Sequence, residues 1–174
     1  MQLVAEAGVT YTSLASAPLR PTPSHQLCAP LAADSLVVGV TETGTLRVWA
    51  VAAPTNSACD AVSVSEMKPG ITQCGRASIV TALPQTTLNC TDPHLPMIAV
   101  GYMDGTVDML TINPPAQTLD ASHEPLSLWT RFLSTDQRAA VTHLAMSSSL
   151  RVAVVCDDAP DVVRIFQAAS SLYR

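Results

Sequence analysis

The 174-residue chain has no apolar run near the roughly 20 residues that span a bilayer; its strongest, Leu36 to Val40, is the length of a strand. Charged residues make up 13% of the chain and aromatics 4%, which excludes a highly charged helical bundle and leaves Ala, Val and Leu to fill the core. Positive charge is the scarcer sign, with 9 Lys and Arg against 14 Asp and Glu and a net charge of −5. That balance removes the long-range attraction for phosphate that nucleic-acid binders carry, so no direct contact with DNA or RNA is expected. Among only 7 glycines there is no glycine-rich phosphate loop, and no Gly-x-Ser-x-Gly elbow occurs. The sequence therefore carries no positive sign of catalysis or of a cofactor.

Targeting signals are weak in the same way. The first apolar stretch ends in Ala15-Ser16-Ala17, the small-residue pattern of a cleavage site, but no basic segment precedes it and Glu6, Thr10, Tyr11, Thr12 and Ser13 interrupt it. Glu6 and the single early Arg20 argue against a mitochondrial transit peptide. The cysteines, Cys28, Cys59, Cys74, Cys90 and Cys156, are odd in number and scattered, unlike a disulfide framework. Reduced thiols in a cytoplasmic or nuclear protein are expected. The glycosylation triplet Asn89-Cys90-Thr91 would need a secretory route for which nothing else argues.

What the chain does contain is an internal repeat, the feature to seek before any other. Leu36-Val37-Val38-Gly39-Val40 leads through Thr41-Glu42-Thr43-Gly44 into the alternating Thr45 to Val51, the pattern of a hairpin. The same grammar returns in Met97 to Gly101, Tyr102-Met103-Asp104-Gly105 and Thr106 to Ile112, with Gly44 and Gly105, Trp49 and Leu110, and Val51 and Ile112 each 61 residues apart. A looser third copy runs from Arg151 to Cys156, turns through Asp157-Asp158-Ala159-Pro160-Asp161 and continues into Val162 to Phe166. A strand is expected before each hairpin, at Tyr11 to Leu14, Val80 to Leu83 and Val141 to Leu144, and a fourth after two of them, at Ala61 to Val64 and Leu126 to Trp129. Most of the 13 prolines fall between these segments and mark loops. One stretch competes: Ser134-Thr135-Asp136-Gln137 has capping-box spacing, and residues 134–146 could form a helix where the repeat wants a strand at Val141 to Met146.

The segment Ile98 to Ile112, with its apolar run, Asp104-Gly105-Thr106 turn and alternating strand, resembles the centre of a WD repeat, and Leu36 to Val51 repeats it with Trp49. The resemblance implies an all-β partial β-propeller of about three four-stranded antiparallel blades joined by long Pro-rich loops. It divides the chain into blades at 10–66, 77–133 and 139–174, with 1–9 as a closing strand for a neighbouring blade. In that family the Trp packs between neighbouring blades. Here Trp49 is followed by Ala50 rather than Asp, and Gly75-Arg76 stands where the family has Gly-His. Propellers close with about four to eight blades, so three imply an incomplete ring, part of a longer propeller or completed by another subunit.

The chemical candidates are few. His25 and Cys28 with Cys90 and His94 could form zinc half-sites but lack tight spacing, so no metal site is expected. Asp157, Asp158 and Asp161 lack the regular ligands and glycine of a calcium loop and read as turn carboxylates. His143 reads as a satisfied structural histidine. Arg47, Asp108 and Arg164 hold matching places in the three copies and are expected to point away from the apolar set, toward solvent or a neighbouring strand, in ion pairs or interface contacts. Trp129, Arg131, Leu95 and Leu119 are the candidates for protein contact, since Trp and Arg are enriched at interface hot spots; the alternative for Trp129 is packing within a blade's outer strand. The function expected is a non-catalytic scaffold for protein partners in a multi-subunit assembly, with a ligand or peptide site in the central pocket of a completed propeller as the alternative.

Overall fold

The computed structural model describes residues 8–18, 35–52, 63–67, 69, 71–83, 97–113, 124–132, 139–147 and 149–167. Every regular element among them is a strand: β1 (Tyr11–Pro18), β2 (Ser35–Thr41), β3 (Leu46–Ala52), β4 (Ser63–Met67), β5 (Ala77–Ala82), β6 (Met97–Tyr102), β7 (Val107–Ile112), β8 (Leu126–Phe132), β9 (Val141–Met146), β10 (Arg151–Cys156) and β11 (Ala159–Gln167). They form three antiparallel sheets in simple sequence order, β1-β2-β3-β4, β5-β6-β7-β8 and β9-β10-β11. β1 packs against β5 and β5 against β9, so the first strands of the sheets lie side by side and the sheets stack as blades. The strand reading of Val141–Met146 therefore holds over the helical one.

Turn chemistry sets the blades. In the first, the Gly44 N–H donates to the Thr41 carbonyl (2.8 Å) and the Thr41 N–H to that of Thr45 (3.0 Å). Gly44 lies in the left-handed region at φ +79°, which a glycine enters without the steric cost of a Cβ. Gly105 repeats this at φ +83° in the second blade. Each blade then ties this turn to its own first strand: the N–H of Glu42, Met103 or Asp157 donates to the carbonyl of Thr10, Arg76 or Ala140 (2.9 to 3.0 Å). A hydroxyl does the same one step inside, with Thr12, Ser78 and Thr142 donating to the carbonyls of Val40, Gly101 and Val155. The recurrence in all three blades is the structural form of the repeat.

The structure corrects several boundaries. The β10–β11 turn is Asp157-Asp158 alone, with Cys156 paired to Ala159, so the expected five-residue loop lies mostly in strand. β4 starts two residues after Ala61, and β8 runs on to Phe132. In the second blade Ala77, not Val80, stands opposite Tyr102 as Tyr11 stands opposite Thr41; the shared Thr and Leu pattern misled by three residues because hydrogen-bond register, not sequence similarity, fixes the phase. Only three strands of the third blade lie among the described residues, and the closing strand proposed for 1–9 lies outside them except at Gly8 and Val9.

Two cores result, one at each junction. The outward face of the first blade (Leu36, Val38, Val40, Leu46, Val48) buries against the inward face of the second (Val80, Ile98, Val100, Leu110, Ile112). The outward face of the second (Ala99, Val107, Met109) buries against Val141, Val152, Val154 and Cys156 of the third. At this second junction Gly101 allows the close approach, because a Cβ there would sit 2.7 Å from the Val141 side chain.

Candidate functional site

Two places stand out from this framework: a desolvated charge cluster in the middle blade and the outward face of the last one. The first is built on β6, β7 and β8. Asp108 follows Val107 on β7 and pairs across the ladder with Arg131 of β8. Its carboxylate is 1% exposed and accepts a bidentate contact from Arg131, Nε to Oδ1 at 2.6 Å and Nη2 to Oδ2 at 2.9 Å. The Tyr102 hydroxyl also donates to Oδ2 at 2.9 Å. A buried carboxylate requires this degree of satisfaction. Burial first, then the neighbouring Asp108 charge, push the Tyr102 hydroxyl far above its ordinary value. The hydrogen bond to Asp108 holds Arg131 charged more firmly than an ordinary arginine.

Asp108 meets the neighbouring strand in a cross-strand ion pair, one of the contacts expected for it, and what the sequence did not show is its burial. The burial is architectural: β6 and β7 lie in a blade with another blade packed on each side, while the outer strand β8 keeps Leu128 and part of Arg131 exposed. In the first blade Arg47, at the position matching Asp108, pairs diagonally with Glu66, which stands opposite Trp49 on β4, at 3.1 Å, and there both side chains are partly exposed.

Beside the Asp108 cluster lies a cleft of about 470 Å³ between residues 71–74 and β7 and β8, lined by Ile71, Gln73, Cys74, Leu110, Leu126 and Leu128, with Arg131 at its wall. Cys74 is exposed and free, and burial of the thiol followed by the Asp108 charge raise its pKa, which disfavours the reactive thiolate. The strip 73–76 is held by the first blade: Gln73 Nε2 donates to the Gly44 carbonyl (2.9 Å) and Arg76 donates to the carbonyls of Thr43 and Glu42 (3.2 Å each). Gly75-Arg76, standing where the resemblance leads one to expect Gly-His, thus fastens one blade to the next.

The sequence candidates divide. Arg131 faces the first blade, bound to Asp108 and with its side chain 34% exposed, whereas Trp129 packs into the core at the junction with the third blade. The structure puts the two on opposite faces of β8, and Trp129 takes the packing role named as its alternative. Leu95 and Leu119 lie outside the described residues, as do His25, Cys28, Cys90 and His94. Among the described residues no group of three or more His, Cys, Asp or Glu converges. His143 is exposed, with Nδ1 3.2 Å from the Thr142 hydroxyl, rather than enclosed in a core. Trp49 lies on the face of the first blade turned away from the second, edge-on to Tyr11 with centroids 5.4 Å apart, and the two crowd the position where a Gly39 Cβ would be.

The second place was not singled out in the sequence. Phe166 pairs with Val152 as Trp49 pairs with Val37 and Leu110 with Ile98, so Ile165 corresponds to Val48 and Met109, and Val163 to Leu46 and Val107. Those four counterparts are buried, while Ile165 is 68% and Val163 59% exposed. With Ala145, Ala153 and Val155 they form an apolar centre on the far side of the last blade, flanked on the same side by His143, Arg151 and Gln167. The alternation in β11 was visible beforehand; that nothing in the described chain covers it was not.

Comparison with solved structures places this architecture. The crystal structure of Sqt1 from Chaetomium thermophilum bound to the N-terminus of the ribosomal protein L10 aligns over 77% of this chain and 30% of that one, at 22% identity and a TM-score of 0.52. A second Sqt1 crystal structure from Chaetomium thermophilum aligns over 91% of this chain and 43% of that one, at 18% identity and a TM-score of 0.55. The fold is an open stack of propeller blades. The chain spans less than half the length of either structure. No family model matches the sequence, and no characterised protein does so in a sequence comparison. No helix among the described residues is long and apolar enough to cross a membrane.

Proposed function

We propose that this chain is a non-catalytic interaction element, a WD-repeat-like propeller subunit or propeller fragment that holds other proteins within a multi-subunit assembly of the cytoplasm or nucleus. The observation that carries the reading is the outward face of the third blade. Val163 and Ile165 stand exposed at positions that the first two blades bury against a neighbour, and a contiguous apolar patch of this kind marks a protein-interaction surface. The Sqt1 complex with the L10 N-terminus is a precedent in kind, a stack of blades that seats a segment of another protein.

The test is affinity capture from native extract with quantitative mass spectrometry, comparing the full chain with Val163→Asp/Ile165→Asp and with Asp158→Ala on the exposed turn. Proteins retained by the wild type and by Asp158→Ala, and lost from the double variant, are the expected result. Equal retention by all three forms would remove this face from the account. A chain that captured no protein yet turned over a small molecule would end the scaffold reading altogether.

A further inference from the structure

We propose that the cleft beside the Asp108 cluster is a peptide-binding site: it takes an aliphatic side chain of an extended segment from a protein partner, with a neutral backbone carbonyl accepting a hydrogen bond from Arg131. The site lies at the junction of the first two blades and is independent of the third blade's outward face. A bulge in β8 builds it. Along β7, Asp108, Leu110 and Ile112 share a face, and their partners across the ladder are Arg131, Leu128 and Leu126. Strict alternation would put Arg131 with Trp129, on the face opposite Leu126 and Leu128. The ladder instead skips Trp129, passing from Met109 and Thr130 to Leu110 and Leu128, so Arg131 joins the side of both leucines. Bulges re-aim side chains in this way and recur beside functional sites. The β3–β4 ladder of the first blade runs without such a shift.

The bulge leaves a cleft of about 470 Å³ in which Ile71, Leu110, Leu126 and Leu128 meet Arg131 and Cys74. That volume lies within the about 300–1,000 Å³ of ligand pockets, which combine apolar walls with a few placed polar groups. Leu128 is 49% exposed, so an aliphatic side chain seated against it removes apolar surface from water. The opposite wall is held in place, since Gln73 Nε2 donates to the Gly44 carbonyl of the first blade. The polar groups of the cleft select the rest of the occupant. Arg131 gives Nε and Nη2 to Asp108, and its Nη1 bonds to no acceptor among the described residues. The Cys74 thiol, kept protonated by burial and then by the Asp108 charge, is a weak donor. Asp108, the one carboxylate lining the cleft, is already satisfied by Arg131 and Tyr102. Two donors therefore face the occupant, which has to bring an acceptor. Asp108 also offsets the Arg131 charge at 2.6 and 2.9 Å, so an incoming carboxylate meets repulsion along with attraction, whereas a neutral carbonyl meets the donor alone. An extended peptide presents such a carbonyl beside each aliphatic side chain.

Cys74, exposed at the edge of the cleft, reports its occupancy. The experiment alkylates the full chain with iodoacetamide, follows the Cys74 peptide by mass spectrometry, and titrates in the neutral dipeptide acetyl-leucyl-leucinamide. At a concentration about ten times half-saturation, alkylation of Cys74 is expected to slow about tenfold by mass action. Acetyl-glycyl-glycinamide gives no protection, and acetyl-leucyl-leucine, with its free carboxylate, protects less well than the amide. Leu128→Asp replaces an exposed side chain, keeps the β-sheet circular dichroism of the wild type and abolishes the protection; the uncharged Leu128→Thr weakens it. Absence of protection by acetyl-leucyl-leucinamide in the wild type overturns the proposal. So does equal protection by the glycine dipeptide, stronger protection by the carboxylate form, which would make the site one for anions, or undiminished protection in both folded Leu128 variants.

Discussion

The middle blade and the last blade are built from the same pattern and live in opposite surroundings. Met109 and Val107 of β7 are fully buried, and Ile165 and Val163 at the matching positions of β11 are among the most exposed apolar side chains described. The polar positions differ in the same sense. Asp108, enclosed between two blades, needs both Arg131 and Tyr102, while the corresponding Arg47 of the first blade meets Glu66 in partly open surroundings. In a stacked-blade protein, then, the environment of a residue is set less by its strand than by whether another blade follows. The same alternating sequence makes a core in one unit and an exposed apolar face in the next.

Substitution at matched positions should expose the contrast most strongly. Met109→Ala removes a fully buried side chain from the junction core and is expected to cost about 2–5 kcal/mol. Ile165→Ala, measured by denaturant unfolding of the purified chain, should stay within about 0.5 kcal/mol. Equal costs would break the comparison.

The ion pairs come next. Arg131→Ala strands a buried carboxylate and is expected to cost about 3 kcal/mol, the lower end of the range for breaking a buried pair because the arginine is partly exposed. Arg47→Ala removes half of a surface pair and should cost about 0–1 kcal/mol. Urea midpoints of the two variants decide the matter, and a larger loss for Arg47→Ala would contradict the assigned environments.

The smallest effect concerns alkali. The Tyr102 hydroxyl is held protonated in the folded state well above its ordinary value, while the unfolded chain releases that proton near pH 10. The folded form therefore binds more protons than the unfolded one above about pH 10, so stability is complete below that pH and falls as pH rises through it. Thermal melts of Tyr102→Phe should lose part of this alkaline slope; an unchanged slope would detach Tyr102 from it.

The hairpins Leu36 to Val51, Met97 to Ile112 and Arg151 to Phe166 were legible because alternation and a turn glycine, or a turn-forming Asp pair, are local properties. The phase of β5 was not. β5 carries between Ala77 and Ile79 the same register irregularity that β1 carries between Tyr11 and Ser13, and the run Val80-Thr81-Ala82-Leu83, three residues further on, happens to imitate the other two inner strands. The burial of Asp108 was also hidden: alternation puts it on the side opposite Met109, but no local pattern says that this side faces another blade. The charge reversal at Arg47, Asp108 and Arg164 was the available signal, with Arg131 as its partner across the next strand. For Val163 and Ile165 the alternation of β11 was visible, but no local pattern says whether another blade covers that side.

Hydroxyl-radical footprinting of β11 tests this account most directly, because neighbouring residues of one strand serve as their own control. Val163 and Ile165 point outward from the third blade, and Val162 points to the other face of the same strand while being 49% exposed. In native extract the expected result is strong suppression of oxidation at Val163 and Ile165, unchanged oxidation at Val162, and recovery of the first two when the purified chain is footprinted in buffer. Oxidation of all three in proportion to their exposed surface in the extract as in buffer would mean that the face stays bare, and would contradict the claim that it is built for another protein.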